Sequence, residues 1–337
     1  MARRRRMNLS PRRLADKLVV NRVSSLVGSN GVLEAKRRFV KPLMRQRLQG
    51  AKRAGSGKVY GRVGDLEVRL STSRAELRQA QRLRYRVFYE EMSATPSLTA
   101  RMKRRDEDPY DATCEHLLVV DTAAPEGGSG WGQRLNVVGT YRLLPQEMAE
   151  QGGGFYSQSE YDLAPLVAAK SPNYRFLEVG RSCVLKPYRN KRTVELLWHG
   201  LWTYVREHGY DVMIGCASFE GLDPDKHAMA LSFLHHYAGA PEAWRVRAHD
   251  RLYVPMNRMA KSEIDAKAAL RALPTLIKGY LRLGAYVGDG AVIDHQFGTV
   301  DVLIVLPVER IDPRYFAHFG APDEVKSRLA PDVERVM

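Results

Sequence analysis

The sequence predicts a mixed α/β (α+β) fold, a central β-sheet flanked by helices with a helix–strand extension at its C-terminal end. Three observations carry that expectation. Apolar runs of strand character alternate with segments of helical period along residues 59–337, an interleaving that gives a sheet covered by helices. A chain of 337 residues is long enough to bury a full core under such layers. Near the C-terminal end, residues 300–306 are Val, Leu and Ile interrupted only by Asp301, a strong strand signal.

The elements follow in order. A short strand is expected at 66–70, then Ser73 as N-cap, because a serine hydroxyl ahead of a helix satisfies one of its open N–H groups. The helix runs from Arg74 to about Glu91, with Leu77, Leu83, Val87 and Phe88 facing inward. A charged loop continues to Asp111. Strands are expected at 116–121 and 136–144, separated by a turn-rich stretch from Ala123. A mobile segment over 151–173 leads to a strand at 175–185. A helix over 193–208 precedes a buried strand at 211–217; residues 227–237 read as helix and 245–253 as strand. Helices near 264–273 and 277–281 precede the strand at 300–306.

Charge divides the chain. Residues 1–58 hold 17 Lys or Arg against two acids, a net of +15 that equals the charge of the whole chain, so residues 59–337 carry none. In this arm Leu14, Leu18 and Leu26, then Val32, Phe39 and Leu43, recur at loosely helical intervals between cations. Such a pattern suits an anionic membrane surface or an acidic protein, and equally a solvated extension. Residues 50–64, rich in Gly and Lys, read as a linker. The expected division is a basic amphipathic arm at 1–58, a core at 59–260, and an extension at 261–337 packed on the core. A basic arm also raises membrane or nucleic-acid binding as a class, but the neutral body argues against nucleic acid as a partner.

Other classes are excluded more directly. Cys114, Cys183 and Cys216 are scattered and odd in number, which opposes a disulfide framework or a zinc ribbon and fits a reducing cytoplasm. No apolar run approaches the roughly 18 residues that span a bilayer. Arg3–Arg6 looks like the start of an export signal, but no unbroken apolar stretch follows, so export is not expected. The close glycines of 127–132 join two strands instead of opening a helix, as a dinucleotide site requires. Gly55-Ser-Gly-Lys58 lacks the spacing of a phosphate loop. His235 and His236 are adjacent, so on a helix they diverge; no metal is expected.

The residues that point to chemistry form an ordered series. Arg84 and Phe88 lie one helical turn apart in Leu-Arg-Tyr-Arg-Val-Phe. Asp108 and Asp111 lie in Asp-Pro-Tyr-Asp, Arg142 in Gly-Thr-Tyr-Arg-Leu, and Glu178 with Arg181 in Glu-Val-Gly-Arg. In this order the series resembles the acyl-carrier-dependent branch of the GNAT acyltransferases, which includes the acyl-homoserine lactone synthases. Those synthases usually carry Ser where this chain has Gly180, and a tryptophan before the aspartates that is missing here. Both departures count against lactone synthesis from S-adenosylmethionine, the rival within the fold.

The chain is more similar to the ornithine N-acyltransferases of bacterial ornithine-lipid synthesis. That likeness spans roughly residues 65–320 and includes Tyr-Arg-Val-Phe-Tyr-Glu-Glu-Met (85–92), Glu-Val-Gly-Arg-Ser-Cys-Val (178–184), Cys-Ala-Ser-Phe-Glu-Gly (216–221) and Ile-Lys-Gly-Tyr-Leu-Arg-Leu-Gly (277–284). The resemblance implies a cytoplasmic enzyme that takes a 3-hydroxyacyl group from the phosphopantetheine thioester of acyl carrier protein to the α-amine of L-ornithine. No cofactor of its own is implied, and the arm would lie on the inner membrane surface or on the acidic carrier.

The chemistry needs few parts. The acceptor ammonium must lose a proton before it attacks the thioester, so a carboxylate base is required, directly or through water. Glu178 is the candidate, and the resemblance adds Arg181 as a catalytic residue. Backbone N–H groups near Cys183 or Val184 would hold the oxyanion. No covalent intermediate is required, so Cys183 reads as a buried strand residue and not as a nucleophile. Arg142 or Arg84 would meet the acceptor carboxylate, and Asp108, Asp111 or Asp301 its second amine. The turn 186–193 would hold the phosphopantetheine phosphate through Arg189, Lys191, Arg192 and Thr193 at a helix start.

Overall fold

The computed structural model describes residues 58–92, 94–124 and 136–312. The arm before Lys58, most of the 50–64 linker, the glycines of 127–132 and the chain after Asp312 lie outside the described residues.

Eight strands form one sheet: β1 (Val59–Val63), β2 (Leu66–Leu70), β3 (Glu115–Asp121), β4 (Val137–Pro145), β5 (Phe176–Val184), β6 (Val212–Glu220), β7 (Tyr286–Asp294) and β8 (Thr299–Pro307). Their spatial order is β1-β2-β3-β4-β5-β6-β8-β7. Every neighbouring pair is antiparallel except β5 and β6. The helices are α1 (Arg74–Tyr85), α2 (Leu98–Lys103), α3 (Gln146–Gly152), α4 (Ala164–Lys170), α5 (Lys191–His208), α6 (Ala228–Ala238), α7 (Ala266–Ala272) and α8 (Thr275–Arg282).

Parallel neighbours need a crossover, and α5 supplies it between β5 and β6. Asn190 caps its start by accepting from the Thr193 N–H at 3.0 Å, and Gly209 ends it in the left-handed conformation. Successive residues of a strand face opposite sides of the sheet, and β3 uses both. Leu117 and Val119 meet Leu196, Leu197 and Leu201 of α5. Leu118 and Val120 meet Ala80 and Leu83 of α1 together with Val87. The two helices therefore cover opposite faces, which explains why β3 reads as a nearly continuous apolar run.

The helix from Arg74 changes character at its end. Ser73 caps it as expected, accepting from the Glu76 N–H at 3.2 Å, but residues Arg86–Glu91 wind as π-helix, with the Met92 N–H donating to the Val87 carbonyl. Single π turns are frequent at functional sites, and this one carries Phe88.

Four expectations need correction. Residues 151–173 are not a mobile stretch: Phe155, Tyr161, Leu163 and Leu166 are buried against Phe176, Val212, Leu303 and Val305. Residues 245–253 form no strand and make only single bridges, among them Arg247 to Asp289 and Ala248 to Tyr161. Val246 and Ala248 are buried, so the alternation came from packing without a ladder. Two strands went unread: β1, inside the expected linker, and β7, whose Gly288 and Gly290 break the apolar pattern. The sheet also runs through the expected boundary at 260, since β8 pairs with β6 from Thr299 to Pro307.

Candidate active site

The pairing of β5 with β6 covers only Phe176 to Glu178, opposite Val212 to Ile214. Beyond Glu178 the strands part, and a cavity of about 550 Å³ opens between Val179–Val184 and Cys216–Ser218. Gly215 sits at the fork: a Cβ there would lie 2.2 Å from the Val179 carbonyl oxygen. Of the sequence-predicted residues, Phe88, Arg142, Glu178, Arg181, Arg189 and Asp301 line this cavity. Arg84, Asp108, Asp111, Lys191, Arg192 and Thr193 do not.

Three arginines and three aspartates form a buried network beside the cavity. Arg84 is fully buried and forks onto both oxygens of Asp111 at 2.9 and 2.8 Å, with Asp106 at 2.9 Å. Arg142 reaches Asp108 at 2.6 Å and Asp111 at 3.4 Å. Arg181 reaches Asp106 at 3.1 Å and Asp108 at 3.4 Å. The Asp-Pro-Tyr-Asp turn is fixed by its own acids, Asp108 accepting from the Tyr110 N–H and Asp111 from the Asp108 N–H. Burial alone would raise both carboxyls, but Arg84 and Arg142 hold Asp111 well below the carboxylate range, and Arg142 holds Asp108 down. Arg84 is thus committed to the fold, while Arg142 and Arg181 face the cavity, stacked over Tyr156 at 5.2 and 4.9 Å. Asp106, which joins two of the arginines, was missed because nothing in its spacing sets it apart from the neighbouring charged loop.

Arg181 adopts φ +52°, left-handed for a side chain that rarely goes there, beside a register shift between β4 and β5. Such strain, of order 1–3 kcal/mol, persists only where neighbours over-determine it. Asp106, Asp108 and the Tyr156 hydroxyl at 3.3 Å supply that restraint.

Glu178 is buried at the fork and accepts from the Tyr156 N–H at 2.5 Å, the Ser157 N–H at 2.8 Å and the Ser157 hydroxyl. Burial raises its pKa, partly offset by the Ser157 bonds. The segment carrying Tyr156 and Ser157 was the one read as mobile, so its part in the site was invisible in the sequence.

A second acidic group adjoins. Glu160, Asp294 and Asp301 bring carboxylate oxygens within 4.8 Å of one another. Burial and the Asp301 charge raise Glu160 to about 8, and burial raises Asp301 to about 6 against the opposing effect of the nearby Thr299 and Ser218 hydroxyls. The Cys216 thiol donates to Glu160 at 3.2 Å.

The turn after β5 is built differently from its expectation. Thr193 is buried, its hydroxyl and N–H both on Asn190. Arg189 donates to the Val184 carbonyl at 2.8 Å and pairs with Glu91 at 2.5 Å. Lys191 is exposed and lies 3.5 Å from Glu195, and Arg192 is exposed. Burial pushes the Cys183 thiol up to about 12, so at neutral pH it is protonated and a poor nucleophile.

The family described as an acetyltransferase (GNAT) domain matches residues 83–199, from the end of α1 to the middle of α5. A protein named L-ornithine N(alpha)-acyltransferase from Brucella abortus is 53% identical over 267 residues, 79% of this chain and 93% of its own. One of the same name from Rhizobium meliloti is 49% identical over 296 residues, 88% of this chain and 95% of its own. A third, from Agrobacterium fabrum, is 51% identical over 266 residues, 79% of this chain and 89% of its own. With such identity over nearly the whole of each relative, and a cavity at the fork of the sheet lined by the predicted carboxylate and arginines, the chain is an acyltransferase and belongs to the L-ornithine N(alpha)-acyltransferase family.

Proposed function

We propose that this acyltransferase moves a 3-hydroxyacyl group from the phosphopantetheine thioester of acyl carrier protein to the α-amine of L-ornithine. The observation that carries the reading is the identity of about half the residues to relatives bearing that acceptor in their name. The cavity supports it chemically, since its lining between β5 and β6 sets a carboxylate, Glu178, beside two arginines, Arg142 and Arg181, as an amine and a carboxylate of an acceptor require.

Glu178 takes the ammonium proton, directly or through water; burial has moved its pKa toward that of a working base. The freed nitrogen attacks the thioester carbonyl, the C–N bond forms, and the C–S bond breaks to release the carrier thiol, which takes up a proton. The oxyanion is assigned to backbone N–H groups of β5 past Glu178, where the ladder to β6 has ended. Arg142 lines the cavity and Arg84 does not, so Arg142 receives the acceptor carboxylate. Arg181 holds Tyr156 and the aspartates around it. The donor phosphate is assigned to the start of α5, where Lys191 and Arg192 are exposed; Arg189 leads to it from the cavity, and Thr193 is held by Asn190. We assign the basic arm to an anionic membrane surface on the cytoplasmic side, or to the acidic carrier; among the described residues no helix is long and apolar enough to cross a membrane.

Steady-state kinetics with each substrate varied in turn test the assignment. Arg142→Ala should raise the KM for ornithine at least tenfold and leave the KM for acyl carrier protein within about threefold, as expected when a charge-assisted fork is lost. A defect confined to the donor would refute it.

A further inference from the structure

The acids Glu160, Asp294 and Asp301 come from three separate places in the chain, and none of the three makes an ion pair among the described residues. Asp301 and Asp294 line the reaction cavity. Asp301 is 6% exposed, and its Oδ1 is buried with no hydrogen-bond partner. Two residues before it on the same strand face, Thr299 is 3% exposed and lines the same cavity; its hydroxyl stands beside the Asp301 carboxylate and helps to hold that pKa down, and no other group meets its Oγ1. A buried acceptor left open costs about 1–3 kcal/mol, so the open Asp301 oxygen, with the Thr299 hydroxyl beside it, marks a place where a donor is delivered from outside.

Glu178 and this group are neighbours. The Ser157 hydroxyl touches Glu178, the Cys216 thiol lies 3.6 Å from that hydroxyl, and Glu160 lies 3.2 Å from the thiol. The two amines of a linear α,ω-diamino acid with three side-chain methylenes stand roughly 5–6 Å apart by bond lengths alone, within the span of those three contacts. The remaining acids of the sequence-level choice are committed elsewhere, Asp108 to Arg142 and Arg181, and Asp111 to Arg84.

We propose that Glu160, Asp294 and Asp301, with the Thr299 hydroxyl, form the pocket for the side-chain ammonium of the acceptor, and that this pocket selects a diamino acid over a neutral one. The inference rests on the amino-acid acylation reading and names the specificity-determining residues within it. An ammonium supplies several N–H donors to the open oxygens and a positive charge to a group of acids that otherwise repel one another. A hydrophobic side chain of the same length would leave those oxygens unpaired, and that penalty is what lets a site built for a polar group reject its apolar analogue by large factors.

The test compares ornithine with norvaline, which has the same carbon chain and no terminal amine, in the full-length enzyme and in Asp301→Asn, Glu160→Gln and Asp294→Asn. Wild type should favour ornithine by at least a hundredfold in kcat/KM. Each variant should narrow that ratio at least tenfold, chiefly through a higher KM for ornithine. An unchanged ratio in variants that retain wild-type thermal unfolding overturns the pocket. If Asp301→Asn or Glu160→Gln does not fold, Thr299→Val, which removes the hydroxyl beside Asp301 at similar volume, must narrow the ratio at least threefold or the proposal fails. Titration of wild type with Mg²⁺ or Ca²⁺ alone, followed by unfolding temperature, should give no saturable shift; a shift that Asp301→Asn abolishes makes this a metal site and overturns the proposal. Failure of wild type to acylate any amino acid is a different result, and removes the parent reading together with the pocket.

Discussion

The fate of each charged side chain is set by what else is buried with it. Arg84 and Asp111 are held so deeply that removing either leaves an uncompensated charge, a loss of about 3–5 kcal/mol. Asp111→Asn should therefore unfold at a markedly lower temperature than wild type, and an unchanged midpoint would contradict the network. Asp108 and Asp111 have folded pKa values below their unfolded ones, so their contribution is present above the ordinary carboxylate range and lost as pH falls through it and below. Glu160 has the opposite sign. Its folded pKa of about 8 exceeds the unfolded value, so the folded state holds an extra proton between the two, and stability falls as pH rises through that window. Unfolding temperatures measured from pH 5 to pH 8.5 should decline in wild type and decline less in Glu160→Gln; parallel curves would refute the shift. Cys183 tests the absence of a covalent step: with its thiol at about 12, Cys183→Ala should keep activity within about fivefold, and abolished turnover would reinstate an acyl-enzyme.

At the scale of elements, the fork between β5 and β6 makes the site. Gly215, at φ +156° and against the Val179 carbonyl, lets the two strands meet closely at Glu178 before they part. Gly215→Ala should push them apart at that point, lowering stability by about 1–3 kcal/mol and activity by more than tenfold; a variant with wild-type kinetics would show that the fork tolerates a methyl group. These elements were unequally legible. The helix from Ser73, β2, β5, α5 and β8 declared themselves through a cap, a period or an apolar run, because in each the local signal and the tertiary role coincide. Residues 154–163 did not. Gly154 and the polar side chains after it read as loop, yet that loop supplies the donors to Glu178 and, through Glu160, an acid of the proposed ammonium pocket. Contacts made by irregular backbone carry no period, so no pattern could have placed Tyr156 and Ser157 against Glu178. The motif residues Arg142, Glu178 and Arg181 were readable only as an ordered series, and the structure shows why they travel with Asp108 and Asp111: all four motif segments meet in one ion network.

For the molecule as a whole, the sheet ties the ends of the described chain together. Strand β8, from the expected extension, lies between β6 and β7 and carries Thr299 and Asp301 into the cavity, so the extension is part of the catalytic unit. The +15 charge resides before residue 59, so the body that holds the cavity carries no net charge. The acyl-transfer claim is tested most directly by product identity. Purified protein would be incubated with 3-hydroxyacyl carrier protein, a mixture of amino acids and S-adenosylmethionine, and the products read by mass spectrometry. N-acylated ornithine is the expected dominant product, with little acylation of neutral amino acids. A homoserine lactone, or an acylated neutral amino acid in place of ornithine, would contradict it.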